Sequence, residues 1–417
     1  MDKMVVMGNG PLKGTVSASG AKNAALPILF STLLAEGTHV FKNVPKLKDI
    51  ESTAELLHSL GCETKWVGDE FHVTVHPLSS HEASYDLVRK MRASFLCMGP
   101  MLARYGEAVV SQPGGCAIGS RPIDLHLAGF QALGAEITQK EGYVHAGTKK
   151  LKGATFLFET VTVGGTENVM MAATLAEGTT VLENAAKEPE IVDLAEYLNK
   201  MGAKITGHGT SVIRIEGVSS LKPATHSIMP DRIEAGTLLI AGAITHGHVT
   251  VNKCVPAHLE ALILRMREAG FKIETTADSM TVFPCDRWEA VDVTTAPHPL
   301  FPTDLQAQFM ALMTVAHGTS VITETVFENR FMHVTELCRL GADITPKTRV
   351  AVVRGRPGQL TGAPVMATDL RASASLVLAG LVASGETVVN RIYHLDRGYE
   401  KLEDKLSSLG AKIRRID

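Results

Sequence analysis

The sequence predicts an α+β fold in two lobes, each built from three copies of a unit about 70 residues long. Two markers and one recurring helix type predict it. The first marker is an apolar–Gly–small tripeptide (LGC, LGA, MGA, AGF, LGA, LGA) with central glycines at 61, 134, 202, 270, 341 and 410, hence steps of 73, 68, 68, 71 and 69. The second keeps the same period: Gly37, Gly106, Gly178, Gly247, Gly318 and Gly385 stand in AEGT, RYGE, AEGT, THGH, AHGT and ASGE. The recurring helix is apolar nearly all round, as in AALPILF, VMMAATL, GTLLIAGAI and SASLVLAGLV. Such a helix is buried on every side.

Each unit reads in the same order. The apolar helix runs up to the second-marker glycine, as in NAALPILFSTLLAEG. A β-rich stretch such as THVFKNV follows, then an amphipathic helix such as KDIESTAELLHSLG, stopped by the first-marker glycine. Strands such as KWVGDEFHVTV close the unit. If the helices are buried, sheets must surround them, and short loops between mostly antiparallel strands favour α+β over a parallel sheet. Six units are too many for one core, so three per lobe is the expected split. LKPATHSIMPDR, at 221–232, is the expected crossover. The expected lobes are 22–229 and 1–21 plus 230–417.

The chain has 417 residues, 45% hydrophobic and 20% charged, with a formal net charge of −3. Neither a nucleic acid nor a membrane partner is expected from that balance, and MDKMVVMGNG lacks a signal-peptide core, so a cytoplasmic protein is expected. The oligomeric state stays open, with a monomer compatible. Cysteines stand at 62, 97, 116, 254, 285 and 338 without a C-x-x-C pair, which argues against a zinc cluster or a disulfide scaffold. Cys62, Cys97, Cys254 and Cys338 are expected in the core, and Cys285 carries no signal. Cys116 differs, because QPGGCAIGSRPIDLH surrounds it with glycines and places it five residues before Arg121. The histidines form no metal-binding motif, and neither a P-loop nor a strand–GxGxxG–helix is present, so no metal and no cofactor are expected.

The buried helices open with SGAKNAA, KMRASFL, GGTENVM, PDRIEAG, PTDLQAQ and TDLRASA. Capping of orphan amides accounts for Ser, Thr, Asp and Asn at such positions. It does not call for Lys22, Arg92, Arg232 or Arg371, since cations at a helix N-terminus oppose the macrodipole. Their recurrence favours a shared anionic ligand, phosphate or carboxylate. Arg121, Arg330, Arg391 and Arg397 lie in loops, where each alone reads first as a surface ion pair, and their company with the helix-start cations shifts Arg121 and Arg397 most clearly toward an anionic ligand.

The stretches SGAKNAALPILF, QPGGCAIGSRPIDLH, NAAKEPEIVDLA, TAPHPLFPTDLQAQFMAL, TETVFENRFMH, ATDLRASASLVLAG and RIYHLDRGYEKLEDKL span the whole chain. Together they closely resemble the UDP-N-acetylglucosamine 1-carboxyvinyltransferases, enolpyruvyl transferases of the EPSP synthase superfamily. The resemblance implies an α/β prism, a two-lobed inside-out α/β barrel of six repeats with substrates in the cleft between lobes. It implies transfer of the enolpyruvyl group of phosphoenolpyruvate to the 3′-hydroxyl of UDP-N-acetylglucosamine by addition and elimination, releasing phosphate, as the first committed step of peptidoglycan biosynthesis. It implies no resident cofactor, although phosphoenolpyruvate can be held covalently on Cys116.

Residue by residue, Cys116 matches the general acid and Asp304 the candidate base, which also reads as an N-cap. Lys22, Asn23, Arg121 and Arg397 match the phosphoenolpyruvate grip, Lys22 and Arg397 counting with the catalytic set. The UDP-sugar site is matched by Asn23, Arg92, Arg121, Pro122, Ile123, Asp124, Leu125, Thr160, Val161, Thr162, Val163, Asp304 and Val326. Arg330, Asp369 and Arg371 match further cleft residues. Two rivals stand beside this reading. The shikimate-pathway enolpyruvyl transferase lacks an equivalent cysteine loop, and a non-catalytic UDP-sugar-binding paralogue has no need of Cys116, Lys22, Asp304 and Arg397 together.

Overall fold

The computed structural model describes residues 2–113 and 122–416. Its secondary structure forms six four-stranded sheets and falls into two compact units. One unit holds the described residues of 20–113 and 122–229; the other holds 2–19 and 230–416. No helix of the described residues is long and apolar enough to cross a membrane.

In the first unit the buried helices are Lys22–Ser31, Met98–Tyr105 and Val163–Ala173. Every residue of Lys22–Ser31 except Asn23 is buried, as its all-round apolar sequence requires. Ile28, Phe30, Met98, Met101, Val169 and Met170 share one core. The outer helix Lys48–Ser59 is amphipathic instead: Ile50, Leu56 and Leu57 point inward while Glu51, Glu55 and His58 face water. The second unit repeats the plan with Arg232–Ile244, Gln306–Met313 and Leu370–Gly380 inside, around Leu238, Phe309, Leu376 and Val377.

The sheets are mostly antiparallel, and all six carry a parallel fourth strand at one edge beside an antiparallel trio. Thr155–Leu157 runs parallel to Thr179–Glu183, for example, with Phe156 opposite Leu182. The N-terminus belongs to the second unit through its strand pairing. Lys3–Met7 is paired on both edges, with Val5 opposite Val388 and also opposite Arg414, so the two ends of the chain share a sheet. Lys13–Ser17 adds a parallel strand to His248–Asn252.

The first-marker glycines all follow the outer helices with positive φ: Gly61 (102°), Gly134 (90°), Gly202 (106°), Gly270 (114°), Gly341 (94°) and Gly410 (99°). That left-handed stop is open to glycine at least strain. Gly247 keeps the second marker for another reason, since a Cβ there would lie 2.3 Å from the Leu12 carbonyl oxygen.

Two expectations need correction. Cys62, Cys97 and Cys254 are buried, and burial pushes their thiols up to about 12, 12 and 11; Cys338 is exposed. In the short helix Val334–Arg339, Val334 and Leu337 take the inward positions and turn Cys338 outward. The third buried helix also starts earlier than its sequence suggests, at Val163, so Thr166 and Asn168 lie inside it. Asn168 serves the core there, donating to the Phe95 carbonyl (3.0 Å) and accepting from the Gly99 amide (2.8 Å).

Candidate active site

Cys116 and Arg121 lie outside the described residues. In the unit of residues 20–229, Lys22 opens its helix behind Ala21, which has no side-chain acceptor. Its ammonium instead meets the Asp49 carboxylate at 2.7 Å, with side chains 11% and 3% exposed. Asp49 comes from the first turn of Lys48–Ser59, and it offsets the repulsion between a cation and the start of a helix. Half-buried Asn23 stands next in the chain.

Arg92 opens the 3-10 turn Arg92–Cys97 and reaches the Pro122 carbonyl at 3.4 Å. Arg92, Pro122, Ile123 and Asp124 line a cavity of about 480 Å³, with Gln112, Leu127, Gln131 and Gln139 completing a mixed polar and apolar wall. That volume and lining suit a small-molecule ligand. Leu125 is half-buried in the helix behind it. Thr160 is exposed, and Val161 leads to Thr162, whose hydroxyl caps the helix beginning at Val163 by accepting from the Gly165 amide (3.2 Å).

The other unit gathers Asp304, Arg330 and Arg371 into hydrogen-bonding reach. Asp304 Oδ1 accepts from Arg330 Nη2 at 2.9 Å, and Oδ2 accepts from Arg371 Nη2 at 2.9 Å. The guanidiniums are 5% and 3% exposed and the carboxylate 25%. Burial alone would raise the Asp304 carboxyl, but Arg371 and then Arg330 outweigh it and hold the group well below the usual carboxylate range. Burial likewise works against the Arg371 charge, while Asp304 and then Tyr399 hold that guanidinium protonated beyond its usual range.

Asp304 does not cap its helix. It sits inside the 3-10 turn Thr303–Leu305, ahead of the helix Gln306–Met313, and its side chain is committed to the arginines. Behind the clamp, Arg371 lies over the Tyr399 ring (5.4 Å), and the Tyr399 hydroxyl bonds Thr237 (3.0 Å) and Gln308 Nε2 (3.0 Å). Arg330 lies over Phe327 at 5.3 Å.

Asp369 is a helix cap, accepting from the Arg371 and Ala372 amides at 2.8 and 3.0 Å. Asp231 does the same for Ile233 and Glu234, and Glu234 pairs with Lys405 at 2.6 Å. The helix start at Arg232 is therefore occupied by structural partners. Half-buried Arg397 ends the 3-10 segment Ile392–Arg397. Burial, then Arg391 and Arg397, push the His394 imidazole down. His333 is pushed to about 4 by burial, with Asp369 opposing and Arg330 assisting. Val326 donates its amide to Glu324 Oε1 at 2.8 Å.

Sequence reasoning missed Asp49, Glu324 and Tyr399, each of which holds a candidate residue or its loop in place. None left a trace in the sequence, and Asp49 shows its role only through its burial beside Lys22.

Residues 6–406 match the family described as EPSP synthase (3-phosphoshikimate 1-carboxyvinyltransferase). The chain is 91% identical over 414 residues, covering 99% of it and 100% of the relative, to the UDP-N-acetylglucosamine 1-carboxyvinyltransferase of Bdellovibrio bacteriovorus. It is 59% identical, over 100% of this chain and 99% of the relative, to the protein of that name from Myxococcus xanthus. The chain belongs to the EPSP synthase family, in its UDP-N-acetylglucosamine 1-carboxyvinyltransferase branch.

Among solved structures, the enolpyruvyl transferase NikO from Streptomyces tendae matches with a TM-score of 0.89 at 25% identity, covering 99% of this chain and 98% of that one. EPSP synthase from Acinetobacter baumannii matches with a TM-score of 0.76 at 18% identity over 100% of both chains, a likeness of fold. The six sheets around buried helices are thus the enolpyruvyl-transferase fold, and membership of this branch sets aside the shikimate-pathway rival.

Proposed function

We propose that this chain transfers the enolpyruvyl group of phosphoenolpyruvate to the 3′-hydroxyl of UDP-N-acetylglucosamine and releases phosphate, the first committed step of peptidoglycan synthesis. The observation that carries the reading is the 91% identity along the full length of a relative bearing that enzyme's name. A cytoplasmic enzyme acting on these two small molecules follows from it.

The chemistry needs a proton donor at C3 of phosphoenolpyruvate, an acceptor for the hydroxyl proton and cations around the acidic groups. Cys116 protonates C3 as the sugar oxygen bonds to C2, and Asp304 takes the hydroxyl proton. C3 then returns a proton to the Cys116 thiolate, the C2–O bond to phosphate breaks, and the enol ether is left on the sugar. Lys22, Asn23, Arg121 and Arg397 hold phosphoenolpyruvate, and Cys116 can carry it covalently without any resident cofactor. Arg92, Pro122 to Leu125, Thr160 to Val163 and Val326 hold the UDP sugar.

The arginine clamp shapes the role of Asp304. A carboxylate held so far down is ionised at every working pH and is a weak base. It orients the hydroxyl first and accepts its proton late, once bonding to C2 has acidified that oxygen. Phosphate release from phosphoenolpyruvate is the test, run with UDP-N-acetylglucosamine and with shikimate 3-phosphate in parallel. Release with the UDP sugar alone is expected; release with shikimate 3-phosphate, or with neither despite UDP-sugar binding, refutes the assignment.

A further inference from the structure

We infer that Glu324 is a positioning residue for the sugar-nucleotide half of the reaction: it fixes the turn carrying Asp304 against the loop carrying Val326. The inference rests on the reading of those two residues given above. Glu324 follows the strand Gly318–Thr323 and is 1% exposed. Its carboxylate accepts four hydrogen bonds from four residues. Oε1 takes the Thr295 hydroxyl (2.8 Å), the Val326 amide (2.8 Å) and the Phe327 amide (3.1 Å); Oε2 takes the Thr303 hydroxyl (2.8 Å).

Three stretches of chain meet at this one group: the loop after strand Val293–Thr294, the turn holding Asp304, and the loop that runs on to Arg330. The surrounding main chain reinforces the junction. The Thr325 amide donates to Thr295 Oγ1 at 3.0 Å, and the Glu324 amide donates to the Arg349 carbonyl at 2.8 Å. Thr303 directly precedes Asp304. Glu324 therefore sets where the Asp304 backbone sits, while Arg330 and Arg371 set where its carboxylate points.

The residue type follows from the donors. All four are neutral, so this is not an ion pair on a surface. Burying a carboxylate is unfavourable unless its acceptor sites are filled, and here four donors fill them. Glutamine has one acceptor oxygen, and its NH2 group would face either the Thr303 hydroxyl or the cluster of two amides and a hydroxyl.

The test compares full-length Glu324→Gln, Thr303→Val, the double variant and Asp304→Ala. The readouts are UDP-N-acetylglucosamine affinity by calorimetry without phosphoenolpyruvate, KM for phosphoenolpyruvate, kcat for phosphate release, and melting temperature. Glu324→Gln is expected to weaken UDP-sugar binding about tenfold and lower kcat about tenfold, the scale of one charge-assisted hydrogen bond, while KM for phosphoenolpyruvate stays within about twofold. Thr303→Val, which cuts only the link to the Asp304 turn, should lower kcat with less effect on affinity. In the double variant the kcat losses should not add.

A melting temperature that falls while affinity and kcat stay at wild-type values would leave Glu324 a purely structural residue and overturn the proposal. If Glu324→Gln does not fold, an unchanged kcat in Thr303→Val overturns it equally. Asp304→Ala separates the two readings. Wild-type transfer in that variant defeats the role given to Asp304, and with it this inference. Lost transfer there beside wild-type kinetics in the Glu324 and Thr303 variants defeats the inference alone.

Discussion

Asp304→Asn removes one negative charge from between two guanidiniums and changes almost nothing in size. Each arginine donates one charge-assisted hydrogen bond of 2.9 Å, and such bonds contribute about 1.5–3 kcal/mol apiece. Asparagine keeps an acceptor for one guanidinium and turns an NH2 group toward the other, donor against donor. Breaking a buried pair costs about 3–5 kcal/mol. The Asp304 side chain is 25% exposed, so water softens that figure toward the lower end.

On the chemical side, a general base contributes about 10²–10⁴ in rate, and a base this weak belongs near 10². The expected result is a kcat about 100-fold down, a lower denaturant midpoint, and UDP-sugar affinity within a few fold. Because the native carboxyl is already ionised far below neutrality, the acid limb of kcat/KM should have the same apparent pKa in wild type and variant. An acid limb between about pH 5 and 7 that disappears in Asp304→Asn would mean that Asp304 titrates there, which the double clamp forbids.

Three further outcomes are expected. Asp49→Asn should raise KM for phosphoenolpyruvate about tenfold while UDP-sugar affinity holds, because the 2.7 Å partner of Lys22 loses its charge; an unchanged KM in steady-state kinetics would detach Asp49 from the site. Cys116→Ala should abolish phosphate release with UDP-sugar binding kept within a few fold, whereas Cys116→Asp should retain turnover; full activity in the alanine variant ends the general-acid role. His39, pushed to about 4 by burial, is neutral in the folded chain, donating from Nε2 to the Ala35 carbonyl and accepting at Nδ1 from Tyr197. A depressed imidazole stabilises above its unfolded value of about 6.5 and loses that contribution as pH falls toward 4, roughly 2 kcal/mol by pH 5. Urea midpoints should fall from pH 7.5 to 5.0, less so in His39→Gln; equal slopes would show that His39 does not titrate as a buried neutral group.

The repeats were readable because glycine is difficult to replace where an outer helix ends in a left-handed residue. Six such ends, Gly61 to Gly410, carry one period through otherwise dissimilar units. The candidate cations were readable for the opposite reason: Lys22, Arg92 and Arg371 stand where local electrostatics disfavours them. Asp49 and Glu324 gave no comparable sign. An acid in the first turn of an amphipathic helix is what the helix dipole favours, so Asp49 looks ordinary until Lys22 is found against it. Glu324 follows a strand, where a solvated glutamate is unremarkable. Cys338 failed for a related reason: in ELCRLGA two neighbouring apolar residues compete for one inward position, and packing awards it to Leu337.

The starts of the six interior helical segments divide by how their first amides are satisfied. Three are capped by a side chain: Thr162, Asp231 and Asp369 each accept from the turn that follows. The other three follow Ala21, Met91 and Pro302, none of which caps the turn. Those three carry Lys22 with Asn23, Arg92, and Asp304, while the capped starts carry Thr162, Asp369 and Arg371, which the resemblance also places in the substrate cleft. A capped start turns a side-chain acceptor onto its own first amides, and that does not keep neighbouring side chains from meeting a ligand. Capping and candidate ligand contact therefore coincide at some starts, as at Thr162 and Asp369, and part at others, as at Lys22 and Asp304.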